Sequence, residues 1–193
     1  WEIERDLAVM DLATTNQQQF DPAALASWRE EELDRLERFS VWSKFRVGER
    51  DLPGWDGKIW DTRWVDKEGR SRIVGKQFNT GPTEEAGLFA ATPDPLGLHY
   101  CLSRLASDKR LCLLTWDVTS AFLQSNLKYP KVVRPPKEIR EDREDLRVCH
   151  KAFSGLREAP AAFQDTQEER SEKELGFEYC EVERCFWRQV EKK

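Results

Sequence analysis

Leu111-Cys112-Leu113-Leu114-Thr115-Trp116-Asp117-Val118-Thr119-Ser120-Ala121-Phe122-Leu123 is the stretch on which the reading of the fold turns. Its apolar run, taken from Arg110 to Val118, predicts a buried strand, and Thr119 to Gln124 a short helix or turn after it. That leaves one carboxylate, Asp117, where the strand ends. An Asp in that setting caps the amides of the following turn. It is also a hard oxygen donor of the kind Mg²⁺ prefers while keeping waters for phosphate groups. Further along comes Gly155-Leu156-Arg157-Glu158-Ala159-Pro160, where a glycine allows the backbone a close approach to a nucleic-acid strand. Metal-dependent phosphoryl transfer calls for both features, an acidic ligand on a rigid element and a closely approaching turn.

Outward from that stretch, helices and strands alternate. Asp21-Pro22 starts a helix, with the acid as N-cap and proline at the first helical position. Leu25, Trp28, Leu33, Leu36 and Phe39 give it an apolar face over 22–40, with Arg29 to Glu32 and Asp34 on the other side. Residues 49–57 form a loop by their Pro, Gly and Asp content. Two strands, 58–66 and 71–78, turn at Glu68-Gly69 and carry Lys67, Arg70, Arg72 and Lys76. Thr92 to Pro95 punctuates the chain, and Leu98, Cys101, Leu102 and Leu105 mark a helix to about Ser107. Val132-Val133 and Leu146 to Lys151 read as strands, with an exposed excursion over 137–147 between them. Pro160 opens a final helix closed by Gly176, and a last strand is expected from Cys185 to Val190. The class is mixed α/β (α+β), without the Gly-rich fingerprint of a dinucleotide fold. Residues 1–57 read as an N-terminal helix with a connecting segment, and 58–193 as the main domain.

The 193 residues suffice for one substantial core or two smaller lobes. Trp1 and Lys193 read as the ends of a fragment of a longer polypeptide. Eight tryptophans are expected mainly as core anchors. A net charge of −5 argues against a nucleic-acid partner only if charge is averaged. Residues 58–80 hold six basic and three acidic side chains, and 100–160 hold twelve and eight, so the basic excess falls on the candidate chemistry. The five cysteines, at 101, 112, 149, 180 and 185, have no C-x-x-C spacing and read as buried reduced thiols of an intracellular protein, cytoplasmic or nuclear. His99 and His150 are isolated. No apolar run approaches membrane-spanning length, so no membrane partner is expected.

Leu114 to Phe122 resembles the apolar-Asp-Val-x-x-Ala-Phe motif of reverse transcriptases, and its surroundings resemble the copia-type long-terminal-repeat retrotransposon polyprotein. Arg70-Ser71-Arg72-Ile73-Val74-Gly75-Lys76-Gln77-Phe78 is similar to that family's K-A-R-L-V-A-K-G-F. Lys151-Ala152-Phe153-Ser154-Gly155-Leu156-Arg157-Glu158-Ala159-Pro160 is similar to L-Y-G-L-K-Q-A-P, with Ser154 in the place of Tyr and Glu158 in the place of Gln. Phe89-Ala90-Ala91-Thr92-Pro93, Val132-Val133-Arg134-Pro135-Pro136, Leu175-Gly176-Phe177 and Cys185-Phe186-Trp187 add flanking matches, all in family order over roughly 58–189.

The resemblance implies the fingers and partial palm of a right-hand polymerase, an RNA-directed DNA polymerase using two Mg²⁺ ions. Asp117 would bind metal, with the Val118 carbonyl beside it. Phe122 would lie under the incoming sugar and exclude a 2′-hydroxyl. Lys67, Arg70 and Arg72 would grip the triphosphate, Gly155 would turn under the template, and Arg157 would touch a phosphate. The implied partners are an RNA or DNA template-primer, deoxynucleoside triphosphates and the remainder of the polyprotein. The family's Y-x-D-D hairpin has no counterpart in these residues, so the fragment is expected to be inactive alone. The helix after Pro160 is almost wholly polar where the family has an apolar stripe. That favours the other reading, a decayed, non-catalytic remnant with a structural or nucleic-acid-binding role. Read as residues alone, Phe122 is an ordinary core aromatic and the basic hairpin a solvated face.

Overall fold

Asp21 caps the first helix as its sequence predicts. In the computed structural model, which describes residues 20–45, 52–77, 88, 90–115, 117–180 and 185–189, its carboxylate accepts from the Ala24 amide at 3.0 Å. Helix α1 runs Pro22–Arg38 and ends in a Schellman arrangement. The Val41 amide reaches back to Leu36 O at 2.9 Å and the Ser40 amide to Glu37 O at 2.7 Å. Ser40 takes the left-handed conformation that glycine more often supplies (φ +50°). This stop seats Leu36 and Val41 together in the core and turns the chain into strand β1, Trp42–Lys44, which the apolar pattern had not announced.

The basic hairpin forms where it was expected. Strand β2 is Ile59–Lys67 and β3 is Arg70–Gly75, paired antiparallel with Lys67 opposite Arg70 across the Glu68-Gly69 turn. Strand β4, Asn126–Arg134, pairs parallel with β2 and antiparallel with β5, Arg147–Lys151. Its register breaks between Asn126 and Lys131, the stretch that contains Pro130, which has no amide for the ladder. With β1 beside β5, the order is β1-β5-β4-β2-β3, one curled sheet. Its β3 edge is covered rather than open. The outward Ile73 amide donates to Glu32 Oε1 of α1 (3.3 Å), and the Gly75 amide to Ser154 O (2.8 Å). The core gathers Leu36, Val41, Ile73, Val133, Cys149, Phe153 and Leu156 between α1, the sheet and the 152–159 turn. Two further helices, α2 (Pro95–Ser107) and α3 (Ala159–Lys173), and a separate hairpin of β6 (Phe177–Tyr179) with β7 (Trp187–Gln189) complete a mixed α+β fold.

Four expectations need correction. The cysteines are not buried as a set: Cys149 is buried and Cys185 half-buried, whereas Cys101, Cys112 and Cys180 are exposed. Residues 110–115, 117 and 118 form no strand. They run as irregular chain with Leu111, Leu113 and Leu114 exposed, because an apolar run becomes a strand only beside a ladder partner and none of the described strands pairs with it. Asp117 therefore lies in irregular chain, not at a strand end. Glu32 does not belong to a polar outer face of α1 but is buried at 5% exposure. The polar α3 does form: Ala159 and Ala161 are buried and Phe163 packs edge-on to Phe122, while Glu169–Lys173 braces the exposed side. Gly176 follows α3 at φ +67°, as its sequence suggested. Phe78, Phe89, Trp116, Val190 and residues 49–51, parts of the expected elements, lie outside the described residues. Among those described, no helix is long and apolar enough to cross a membrane.

Candidate functional site

A cavity of about 380 Å³ opens where α1, β3, the 117–123 segment and the turn before α3 meet. Strand alternation supplies its first wall. Arg70 and Arg72 share one side of β3 and are exposed, whereas Ser71 and Ile73 are buried. The second wall is Asp117 to Leu123. Asp117 is exposed at the rim, and Ser120 (φ +55°) bends the chain into the 3₁₀ turn Ala121–Gln124. That turn carries Phe122, half-buried against the core and edge-on to Phe163 at 6.3 Å. Phe153 and Ser154 form the third wall, and Glu32 and Arg35 of α1 the fourth.

Glu32 is the buried polar centre of this arrangement. Its Oε2 accepts from Arg35 Nη1 at 2.7 Å and its Oε1 from the Ile73 amide. Burial pushes its carboxyl above the usual glutamate range, opposed by the Arg35 charge, the Ile73 hydrogen bond and the Arg72 charge. Neither Glu32 nor Arg35 was singled out from the sequence, yet a signal exists. Glu32 is four residues from both Trp28 and Leu36, so it occupies the apolar stripe of the helix. A carboxylate in that register must find internal donors.

Of the residues the sequence nominated, the structure brings Arg70, Arg72, Asp117, Val118 and Phe122 to one cavity. Lys67, Gly155 and Arg157 do not line it. Lys67 lies at the exposed hairpin tip. Gly155, at φ +86°, presses on β3: a Cβ there would overlap the Gly75 carbonyl oxygen and the Val74 side chain. Its conformation thus has an internal cause, the close approach of two backbones. Arg157 donates its amide to Gln77 Oε1 at 3.0 Å, a second tie between this turn and the end of β3.

The cavity holds three cationic side chains, Arg35, Arg70 and Arg72, against Glu32 and Asp117, and Glu32 is already engaged by Arg35 and Ile73. An incoming phosphate would find two guanidinium forks with no hydrogen-bonded carboxylate partner among the described residues. For divalent metal the donors are fewer. Asp117 and the Val118 carbonyl are at hand, but the described residues contain no group of three His, Cys, Asp or Glu side chains placed to hold a metal ion. The donors among the described residues do not complete a two-Mg²⁺ site. Comparison of the chain with protein families, curated proteins and solved structures finds no match.

Proposed function

We propose that this chain is the fingers and first part of the palm of a copia-type reverse transcriptase, contributing substrate contacts and one acidic ligand to RNA-directed DNA synthesis. The observation that carries the reading is the meeting of Asp117, Val118 and Phe122 with Arg70 and Arg72 in one cavity, although more than forty residues separate the two groups in sequence. In the reaction a primer 3′-hydroxyl attacks the α-phosphorus of a deoxynucleotide, and the bond to pyrophosphate breaks. Arg70 and Arg72 hold the triphosphate, with Lys67 at the hairpin tip reaching its outer end. Phe122 sets the floor under the sugar. The Mg²⁺ ions that such a reaction uses require further carboxylates, which the resemblance assigns to an aromatic-x-Asp-Asp hairpin. Template and primer, and the rest of a polyprotein, are the remaining partners. The protein would work inside the cell.

Primer extension in a chimera that supplies that hairpin tests this. Asp117→Asn is expected to abolish incorporation of both sugars. Phe122→Val is expected to raise ribonucleotide over deoxynucleotide incorporation by roughly tenfold or more, since it removes a clash built against the 2′-hydroxyl. Unchanged sugar selectivity would return Phe122 to its packing against Phe163. A second reading, a non-catalytic remnant, draws on the exposed Leu111, Leu113 and Leu114 and on an α3 that buries only two residues. A wild-type chimera that fails to extend any primer while staying folded favours that reading.

A further inference from the structure

A second cavity, of about 610 Å³, shares no lining residue with the first. Helix α1 borders both: Arg29 lines this one, and Glu32, one turn on, the other. Its walls are β2, the end of β3, the end of β4 and the 136–143 segment. Seven cationic and three acidic side chains face it, in a chain whose overall charge is −5.

Two of the three carboxylates are spent internally. Arg29 clamps Asp66 through Nε (3.3 Å) and Nη2 (2.7 Å), Ser71 Oγ donates to the same carboxylate at 2.7 Å, and Arg134 Nη1 holds Asp61 at 2.8 Å. Among the described residues Arg140 donates to the Pro135 carbonyl alone, at 2.9 and 3.3 Å. Arg63, Lys76, Lys137 and Arg143 have no ion-pair partner among the described residues. Lys137 and Arg143 are exposed, as any solvated surface charge is, but Arg63, Lys76 and Arg140 are half-buried. A partly desolvated cation without a counter-charge is unfavourable, and a lining built from several of them is matched by an external anion. The cationic groups come from separate elements across the sheet, so one compact anion does not satisfy them all. A flexible chain of anions does, and the cavity is too small for a duplex.

We infer that this groove binds the phosphate backbone of single-stranded nucleic acid, separately from the Asp117 cavity. The choice of nucleic acid over an acidic peptide rests on the polymerase reading above. Fluorescence anisotropy of a fluorescein-labelled thymidine dodecamer with the 193-residue chain, over a salt series, tests it. Arg63→Gln with Lys76→Gln is expected to weaken binding about tenfold and to flatten the slope of log affinity against log salt by roughly 1.4, or 0.7 for each lost phosphate contact. The charge-keeping pair Arg63→Lys with Lys76→Arg should restore most of the affinity. Deoxythymidine triphosphate binding, measured on the same proteins, should not change. Loss of triphosphate binding by the wild type with dodecamer binding intact would defeat the cavity reading and leave this one standing. No dodecamer binding by the wild type, an unaltered salt slope in the Gln pair, or equal displacement of the dodecamer by poly-glutamate would overturn the groove.

Discussion

Glu32 combines three structural roles in one side chain. Its carboxylate closes an outward amide of an edge strand, pairs Arg35 and walls the cavity, all at 5% exposure. Because burial raises its pKa, the folded state binds this proton more tightly than the unfolded chain does. The contribution to stability is then fully present below the ordinary glutamate pKa, about 4.5, and is lost as pH rises through the raised value. Urea unfolding of Glu32→Gln over a pH series should show that slope removed, with the mutant gaining on the wild type as pH rises from 4 to 7. Parallel curves for the two proteins would contradict it. Glu32→Ala leaves the Ile73 amide and Arg35 without an acceptor and should cost about 1–3 kcal/mol. The sequence hid this residue because a charged side chain on a helix is normally assigned to water. Only its register with Trp28 and Leu36 says otherwise.

Among elements, the hairpin and α1 were legible and the 110–118 run was not, for one reason. The helix carries its own punctuation in Asp21-Pro22, and the hairpin its own turn in Glu68-Gly69, so local residues determine them. A buried strand is decided by its neighbours, and apolarity alone does not name them. Leu114, 74% exposed, should accordingly tolerate replacement by Ser within about 0.5 kcal/mol. Leu36→Ala should cost about 2–5 kcal/mol in the same unfolding assay. Equal costs for the two would mean that the run is packed after all. The turn at Gly155 belongs to this scale too. Its sequence signal was sound, but the close approach it permits is to Gly75 of β3. Gly155→Ala should therefore cost ~3 kcal/mol through backbone strain and overlap, and loosen the strand that presents Arg70 and Arg72.

At the scale of the whole molecule, two basic concavities among the described residues stand against an acidic remainder, a division visible in the uneven charge of residues 58–80 and 100–160. The sequence marked five of the residues that line the first cavity, because each belongs to a short contiguous motif. It did not mark Arg35 or the second groove, whose members are scattered over α1, the sheet and the 136–143 segment and meet only on folding. On the reading proposed here, Arg70 and Arg72 form a triphosphate grip beside Asp117. Titration calorimetry of deoxythymidine triphosphate into the 193-residue chain, wild type against Arg70→Gln with Arg72→Gln, probes that grip. Each charge-assisted contact is worth about 1.5–3 kcal/mol, so the double variant should lose at least about tenfold in affinity. Equal affinity of the two proteins, or no binding by the wild type, would contradict the account.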